Sequence, residues 1–214
     1  MKNKNIVIVS IVVLAAIFIG AASFYKSNET SALQNMSQSE APFVRPHSMI
    51  LGENKKNITV VEFLDPECEA CGYFHGAVKA MYKDYYEDIR LVVRYLDNHK
   101  NSKYAVKILE SARKQNKYSE VLDVVFSTQG IWAQHNNERP ELLWQHLPRV
   151  DGLDMKKLRE DFDTINVDDM LAKDREDART LKVRGTPSFF VNGKKLEKLS
   201  GQGLMDLVEG EIYK

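Results

Sequence analysis

The sequence predicts an α/β domain, with helices covering a small mixed sheet, carried behind an apolar amino-terminal segment. Three observations predict it. A short β-branched run gives way to a helical pattern at Cys68. A long helical block separates the two halves of the domain. Near the carboxy terminus a strand, a tight Asn-Gly turn and a second strand precede a last helix. The chain has 214 residues, no net formal charge and 43% hydrophobic residues, which suits one medium domain with an appendage. The balanced charge argues against a nucleic-acid binder and against polybasic attachment to anionic lipid.

Residues 6–24 form an apolar run without charge, interrupted only by the small residues Ser10, Gly20 and Ser23. As a helix rising ~1.5 Å per residue it would span roughly 28 Å, close to the ~30 Å hydrocarbon core of a bilayer. Lys2 and Lys4 precede it, and positive charge prefers the cytoplasmic side, so the remainder of the chain should cross. Residues 1–25 are therefore read as a membrane anchor, or as a signal peptide cleaved near Gly20-Ala21-Ala22. Either reading delivers the domain to an extracytoplasmic, disulfide-permissive compartment. Residues 26–47, rich in Ser, Asn, Gln and Glu, read as a flexible linker with a root-mean-square span of roughly 25 Å.

The globular part is expected over residues 48–214. Ile58–Leu64 is short, β-branched and apolar, as befits a strand buried on both faces, and Asp65-Pro66 stops it. From Cys68 to about Tyr86 the residues Cys71, Phe74, Val78, Met81 or Tyr82, and Tyr85 recur at three and four, one stripe of a helix. Residues 89–96 give a second strand. A helical insertion is expected over about 100–170, with helical periodicity running on to residue 182. Its faces are marked by Tyr104, Ile108 and Ala112, by Val121, Leu122 and Val125, and by Leu158, Phe162 and Ile165. Trp132 and Trp144 fit its core. Residues 175–182 should be a helix with a narrow buried face of Ala178 and Leu181. Residues 188–194 and 195–199 should form the hairpin, and residues 203–213 the closing helix.

The chain has only two cysteines, Cys68 and Cys71. A small disulfide scaffold would need more, and a structural zinc site about four ligands. His47, His75, His99, His135 and His146 stand at no metal-ligand spacing from one another. A disulfide closing so short a loop constrains the unfolded chain little, which favours redox work over a structural bridge. At a strand-to-helix junction Cys68 meets the unpaired amides and positive dipole end of the helix, so its thiolate is favoured and it becomes the attacking sulfur. Cys71, one turn on and within the apolar stripe, is the shielded resolving thiol. His75, a further turn along, fits the helix surface better than the site.

Cys68-Glu69-Ala70-Cys71 after a strand, and Gly185-Thr186-Pro187 before another, resemble the thioredoxin superfamily. The long helical block makes the chain similar to its DsbA-like branch of exported oxidoreductases. The resemblance implies a thioredoxin fold with an inserted helical subdomain, preceded by the transmembrane anchor, and a redox-active disulfide between Cys68 and Cys71. It implies that Pro187 is the cis-proline facing the pair, and that Thr186 pairs with an extended substrate strand and offers its hydroxyl to the Cys68 thiolate. Glu62 would be the buried acid beneath the disulfide that moves the Cys71 proton. The implied activity is dithiol–disulfide exchange in exported proteins, with disulfide formation favoured and isomerisation or reduction as the alternative. A peptide-binding assembly factor is the alternative of another class. No cofactor or metal is expected. The implied partners are exported protein thiols and a DsbB-like quinone-linked membrane oxidase. The implied setting is the bacterial cell envelope: anchored in the cytoplasmic membrane with the domain periplasmic, or free in the periplasm after cleavage. The sequence departs from the best-known DsbA pattern in lacking a histidine between the cysteines. The acidic Glu67 and Glu69 flank Cys68 instead, which predicts a higher Cys68 pKa than in strongly oxidising relatives.

Overall fold

The computed structural model describes residues 13–21, 23–24 and 42–214. Residues 13–21 and 23–24 are helical (α1), with Val13, Leu14, Ile17, Phe18, Ile19 and Phe24 exposed. Among the described residues no helix is long and apolar enough to cross a membrane. The rest of the expected anchor, and residues 26–41 of the expected linker, lie outside the described residues.

The domain is built on five strands in the order β1-β3-β2-β4-β5. They are β1 (Met49–Leu51), β2 (Ile58–Leu64), β3 (Ile89–Tyr95), β4 (Ser188–Val191) and β5 (Lys194–Lys195). β2 and β3 run parallel, in register from Ile58 opposite Ile89 to Leu64 opposite Tyr95, and the other pairs are antiparallel. All seven residues of β2 are buried, as a central strand covered on both faces requires. Alternation sends Val60 and Leu64 into one core and Val61 and Phe63 into the other.

The first core lies beneath α2 (Glu69–Tyr85) and α9 (Gly201–Ile212) and runs into the helical insertion. The insertion comprises α3 (Ser102–Arg113), α4 (Tyr118–Ser127), α5 (Gln129–Trp132), α6 (Leu143–His146) and α7 (Met155–Thr164). Ile108, Ala112, Val121, Leu122, Val125, Leu158 and Phe162 are buried there. Trp132 donates to the Val125 carbonyl at 2.9 Å and Trp144 to the Tyr104 hydroxyl at 2.7 Å, so both tryptophans serve the core. α7 starts where the Asp154 carboxylate accepts from the amides of Lys156 and Lys157, and α9 where the Ser200 hydroxyl accepts from Gly203.

α8 (Asp168–Thr180) covers the opposite face of the sheet. There Ala178 and Leu181 meet Phe43, Val61, Phe63, Val92 and Phe190. The helix also buries two carboxylates, Asp174 and Asp177, which the charged pattern of 175–182 did not disclose. Both bond to Arg94 of β3, itself fully buried: Nη2 lies 2.6 Å from each. Arg94 Nη1 donates to the carbonyls of Pro42 and Phe43 at 2.7 and 3.1 Å, and Arg45 forms a two-pronged bond with Asp177.

This network corrects the expected linker boundary. Residues 42–47 are not free chain, because the guanidinium of Arg94 takes up their carbonyls and Phe43 fills a gap against Phe190, with ring centroids 5.3 Å apart. Two further differences concern short strands. β1 carries too few residues to show periodicity. β5 stops after two pairs, Phe190 with Lys195 and Val191 with Lys194, so the hairpin is shorter than residues 195–199 suggested.

Candidate active site

The parallel strands β2 and β3 end side by side, and the chain leaving each one builds the site. After β2, the Asp65 carbonyl accepts from the Cys68 amide at 3.1 Å. The Asp65 carboxylate, fully buried, accepts from the amides of Glu67 and Asn98 at 2.9 and 3.0 Å and from His99 Nδ1 at 2.8 Å. This turn delivers Cys68 as the amino-terminal cap of α2, half-buried, with Cys71 one turn further and fully buried.

The two sulfurs ionise in opposite senses. The Cys71 thiol hydrogen-bonds to the Cys68 sulfur, and with the Thr186 side chain and the helix amides it lowers the Cys68 pKa to about 5 against the opposing effect of burial. Burial, the Cys68 hydrogen bond and the charge of Glu62 push the Cys71 pKa far above that of an ordinary thiol. The Cys68 thiol also donates to the Thr186 carbonyl at 3.3 Å, and the Thr186–Pro187 peptide bond is cis. Thr186 thus meets Cys68 through both its backbone and its side chain.

Glu62 shares the sheet face of Val60 and Leu64, the face covered by α2. It is buried, with a pKa raised to about 8 by desolvation alone. It lines a cavity of about 510 Å³ together with Val78, Leu91, Val93, Tyr118 and Leu122. The five residues singled out from the sequence therefore converge: Cys68, Cys71 and Thr186 by contact, Glu62 through its charge on Cys71, and Pro187 through the cis bond to Thr186.

The acidic flank is turned away. Glu67 is buried, but its carboxylate accepts from the Asn101 amide at 2.5 Å and the Asn101 side chain at 3.0 Å, at the amino terminus of α3. There the helix dipole offsets its charge. Glu69 is exposed and lies 3.4 Å from His135. Cys68 at about 5 falls between the ~7 of thioredoxin and the ~3.5 of DsbA. His75 is more enclosed than a surface histidine: its Nε2 lies 2.7 Å from Asp123 and its ring packs at a tilt against Phe126, with centroids 4.8 Å apart.

Sequence reasoning missed two residues at this site. Gln129 of α5 donates to the carbonyls of Pro66 and Cys68 at 2.8 and 3.0 Å, tying the insertion to the cysteine turn. Its room comes from Gly72, where an added Cβ would meet Gln129 Oε1 at 2.1 Å. No local signal marks Gln129, although a glycine directly after the second cysteine hints at a close approach. His99 was noted only as failing metal spacing. Its position just past β3, beside the end of β2, was the available signal.

Comparison with known proteins agrees with this geometry. A family model described as Thioredoxin matches residues 45–209. The Na(+)/H(+) antiporter NhaA of Herminiimonas arsenicoxydans is 31% identical over 147 residues, which cover 69% of this chain and 22% of that protein. A protein of Rickettsia typhi provisionally named a protein-disulfide oxidoreductase is 29% identical over 158 residues, covering 72% of this chain and 58% of the relative. The chain thus spans less than two thirds of the length of either. The crystal structure of a thioredoxin-like oxidoreductase from Silicibacter pomeroyi DSS-3 superposes with a TM-score of 0.66 at 25% identity, covering 80% of this chain and 96% of that one.

Proposed function

The chain belongs to the thioredoxin family, and from that premise we propose that it is a thiol–disulfide oxidoreductase that forms disulfides in exported proteins. The observation that carries this reading is the asymmetry of the pair: a half-buried Cys68 that ionises near pH 5 beside a buried Cys71 that holds its proton. A low-pKa thiolate stabilises the reduced enzyme and so makes its disulfide oxidising.

In the oxidising direction a substrate thiolate attacks the Cys68 sulfur of the enzyme disulfide, and the Cys68–Cys71 bond breaks. Cys71 leaves as a thiolate and takes a proton from Glu62, whose pKa of about 8 suits an acid or base near neutrality. A second substrate thiol then attacks the substrate sulfur of the mixed disulfide and expels Cys68 as a thiolate. The substrate dithiol gives up two electrons and two protons: one proton restores Glu62 in place of that passed to Cys71, and the other is released to solvent. The Thr186 backbone, next to Cys68, is suited to pair with an extended substrate segment. A quinone-linked membrane oxidase of the DsbB type would reoxidise the pair.

The uncharged run over residues 6–24, behind Lys2 and Lys4, supports an anchor in the cytoplasmic membrane of a bacterial envelope with the domain outside. The exposed apolar side chains of α1 are in keeping with it.

Trapping tests the reading. Cys71→Ala should accumulate mixed disulfides with exported proteins through Cys68, and Cys68→Ala should trap none and lose activity. Full biological activity in Cys68→Ala would replace exchange with peptide binding. Thiol alkylation in cells separates the directions: a mostly oxidised pair fits disulfide formation, a mostly reduced pair isomerisation or reduction.

A further inference from the structure

The loop after β3 places His99 on Asp65, at the turn that delivers Cys68. His99 Nδ1 is held at 2.8 Å by Asp65, the residue whose carbonyl receives the Cys68 amide at 3.1 Å. Asp65 is fully buried, and the amides of Glu67 and Asn98 fix its carboxylate, so the position of His99 is set by the same turn that sets Cys68. The charged groups that act on His99 are Asp65 and Glu67 from this turn and Cys68 from the start of α2. Cys68 is in turn faced by Cys71 on α2 and by Thr186 before β4.

We propose that His99 is a positioning residue for the exchange reaction: oriented by Asp65, its imidazolium offsets the charge of the Cys68 thiolate in the reduced enzyme. Without that cation the buried Asp65 carboxylate, held by the Glu67 and Asn98 amides, would keep its negative charge at the turn that carries an anionic sulfur, and like charges oppose ionisation. Burial disfavours the imidazolium, but the Asp65 hydrogen bond and the charges of Asp65, Cys68 and Glu67 outweigh it and raise the His99 pKa. Coupling between two titrating groups is reciprocal. Whatever the Cys68 thiolate adds to the affinity of His99 for a proton, protonated His99 adds to the acidity of Cys68. Oxidation removes the thiolate, so the disulfide form should hold the His99 proton less tightly. Reduction and His99 protonation are then linked, and the disulfide becomes a stronger oxidant as the pH falls through the His99 transition.

This inference rests on the exchange reading, and the test separates the two. The imidazole of His99 is titrated by NMR in the full-length oxidised and reduced protein, and Cys68 by thiolate absorbance in wild type and His99→Gln. The His99 midpoint should fall on oxidation, and the Cys68 midpoint should rise in His99→Gln by about one pH unit, with a roughly tenfold shift towards reduced glutathione plus enzyme disulfide in the exchange equilibrium. An identical His99 midpoint in both redox states overturns the inference, and that measurement needs only wild-type protein. If the pair forms no reversible disulfide, the exchange reading itself fails.

Discussion

Cys68 and Cys71 sit one helical turn apart and differ because one sulfur meets the open end of α2 and the other meets the core. The Cys68 pKa is depressed to about 5, below that of an unfolded thiol at ~8.5. Its stabilising contribution to the reduced fold is therefore complete above the unfolded value and lost as the pH falls through about 5. Thermal melts should show the reduced form more stable than the disulfide form at pH 7, with the difference shrinking towards pH 4. The intermediate pKa also predicts a reduction potential between the roughly −270 mV of thioredoxin and −120 mV of DsbA, near −200 mV, measured by equilibration with glutathione. Glu62 carries the opposite sign. Its pKa rises from 4.5 to about 8 because the charged form is desolvated, so its contribution is complete below about pH 4.5 and lost as the pH rises through about 8. Urea unfolding of the disulfide form, in which Cys68 does not titrate, should weaken by on the order of 5 kcal/mol across that window, at ~1.4 kcal/mol per pH unit, while the disulfide form of Glu62→Gln stays nearly flat. The same variant should slow exchange on the order of a hundredfold near neutrality, by removing the proton carrier for Cys71.

At the scale of elements, the contact between α2 and α5 is a matched pair of a long side chain and a missing one. Gln129 fills the space above Gly72 and gives its amide protons to the Pro66 and Cys68 carbonyls. Gly72→Ala should therefore cost about 1–3 kcal/mol by forcing Gln129 aside. Gln129→Ala should cost about 1–2 kcal/mol by leaving two carbonyls short of a donor. In the double variant the clash is gone, so what remains is the lost donor to the two carbonyls, partly offset by the helix preference of alanine over glycine, worth ~1 kcal/mol. Chemical denaturation of the four proteins should thus give a strongly non-additive cycle, and additive single effects would refute the pairing. The cavity beneath α2 belongs to this scale as well, because β2, β3, α2 and α4 each contribute a wall to the space that Glu62 faces.

The whole molecule is a sheet with its chemistry on one face and its charge clamp on the other. Arg94, Asp174 and Asp177 are buried together under α8 and hold the incoming chain at Pro42 and Phe43. Removing one partner of a buried ion network leaves uncompensated charge, so Arg94→Leu should destabilise the domain by about 3–5 kcal/mol. The Cys68 titration should not move, since the clamp lies across the sheet from Cys71; calorimetry and thiolate absorbance on the same variant check both halves. The strands β2 and β3, the helix α2 and the unequal burial of Cys68 and Cys71 were legible in the sequence. Apolar periodicity, a strand-to-helix switch and two cysteines three positions apart are local signals, and local signals survive without a fold. Glu62, Thr186 and Pro187 were reached by resemblance and then found gathered around the pair. Gln129, Gly72, His99 and the Arg94 clamp were decided by tertiary structure alone, because each acts on a residue distant in sequence. The sequence by itself determined which sulfurs could react and which of them the helix would expose. Only the fold decided the field around them: it turned Glu67 towards α3, left Glu69 in water and set His99 on Asp65 at the Cys68 turn, since electrostatics depends on distance in space and a sequence states only distance along the chain.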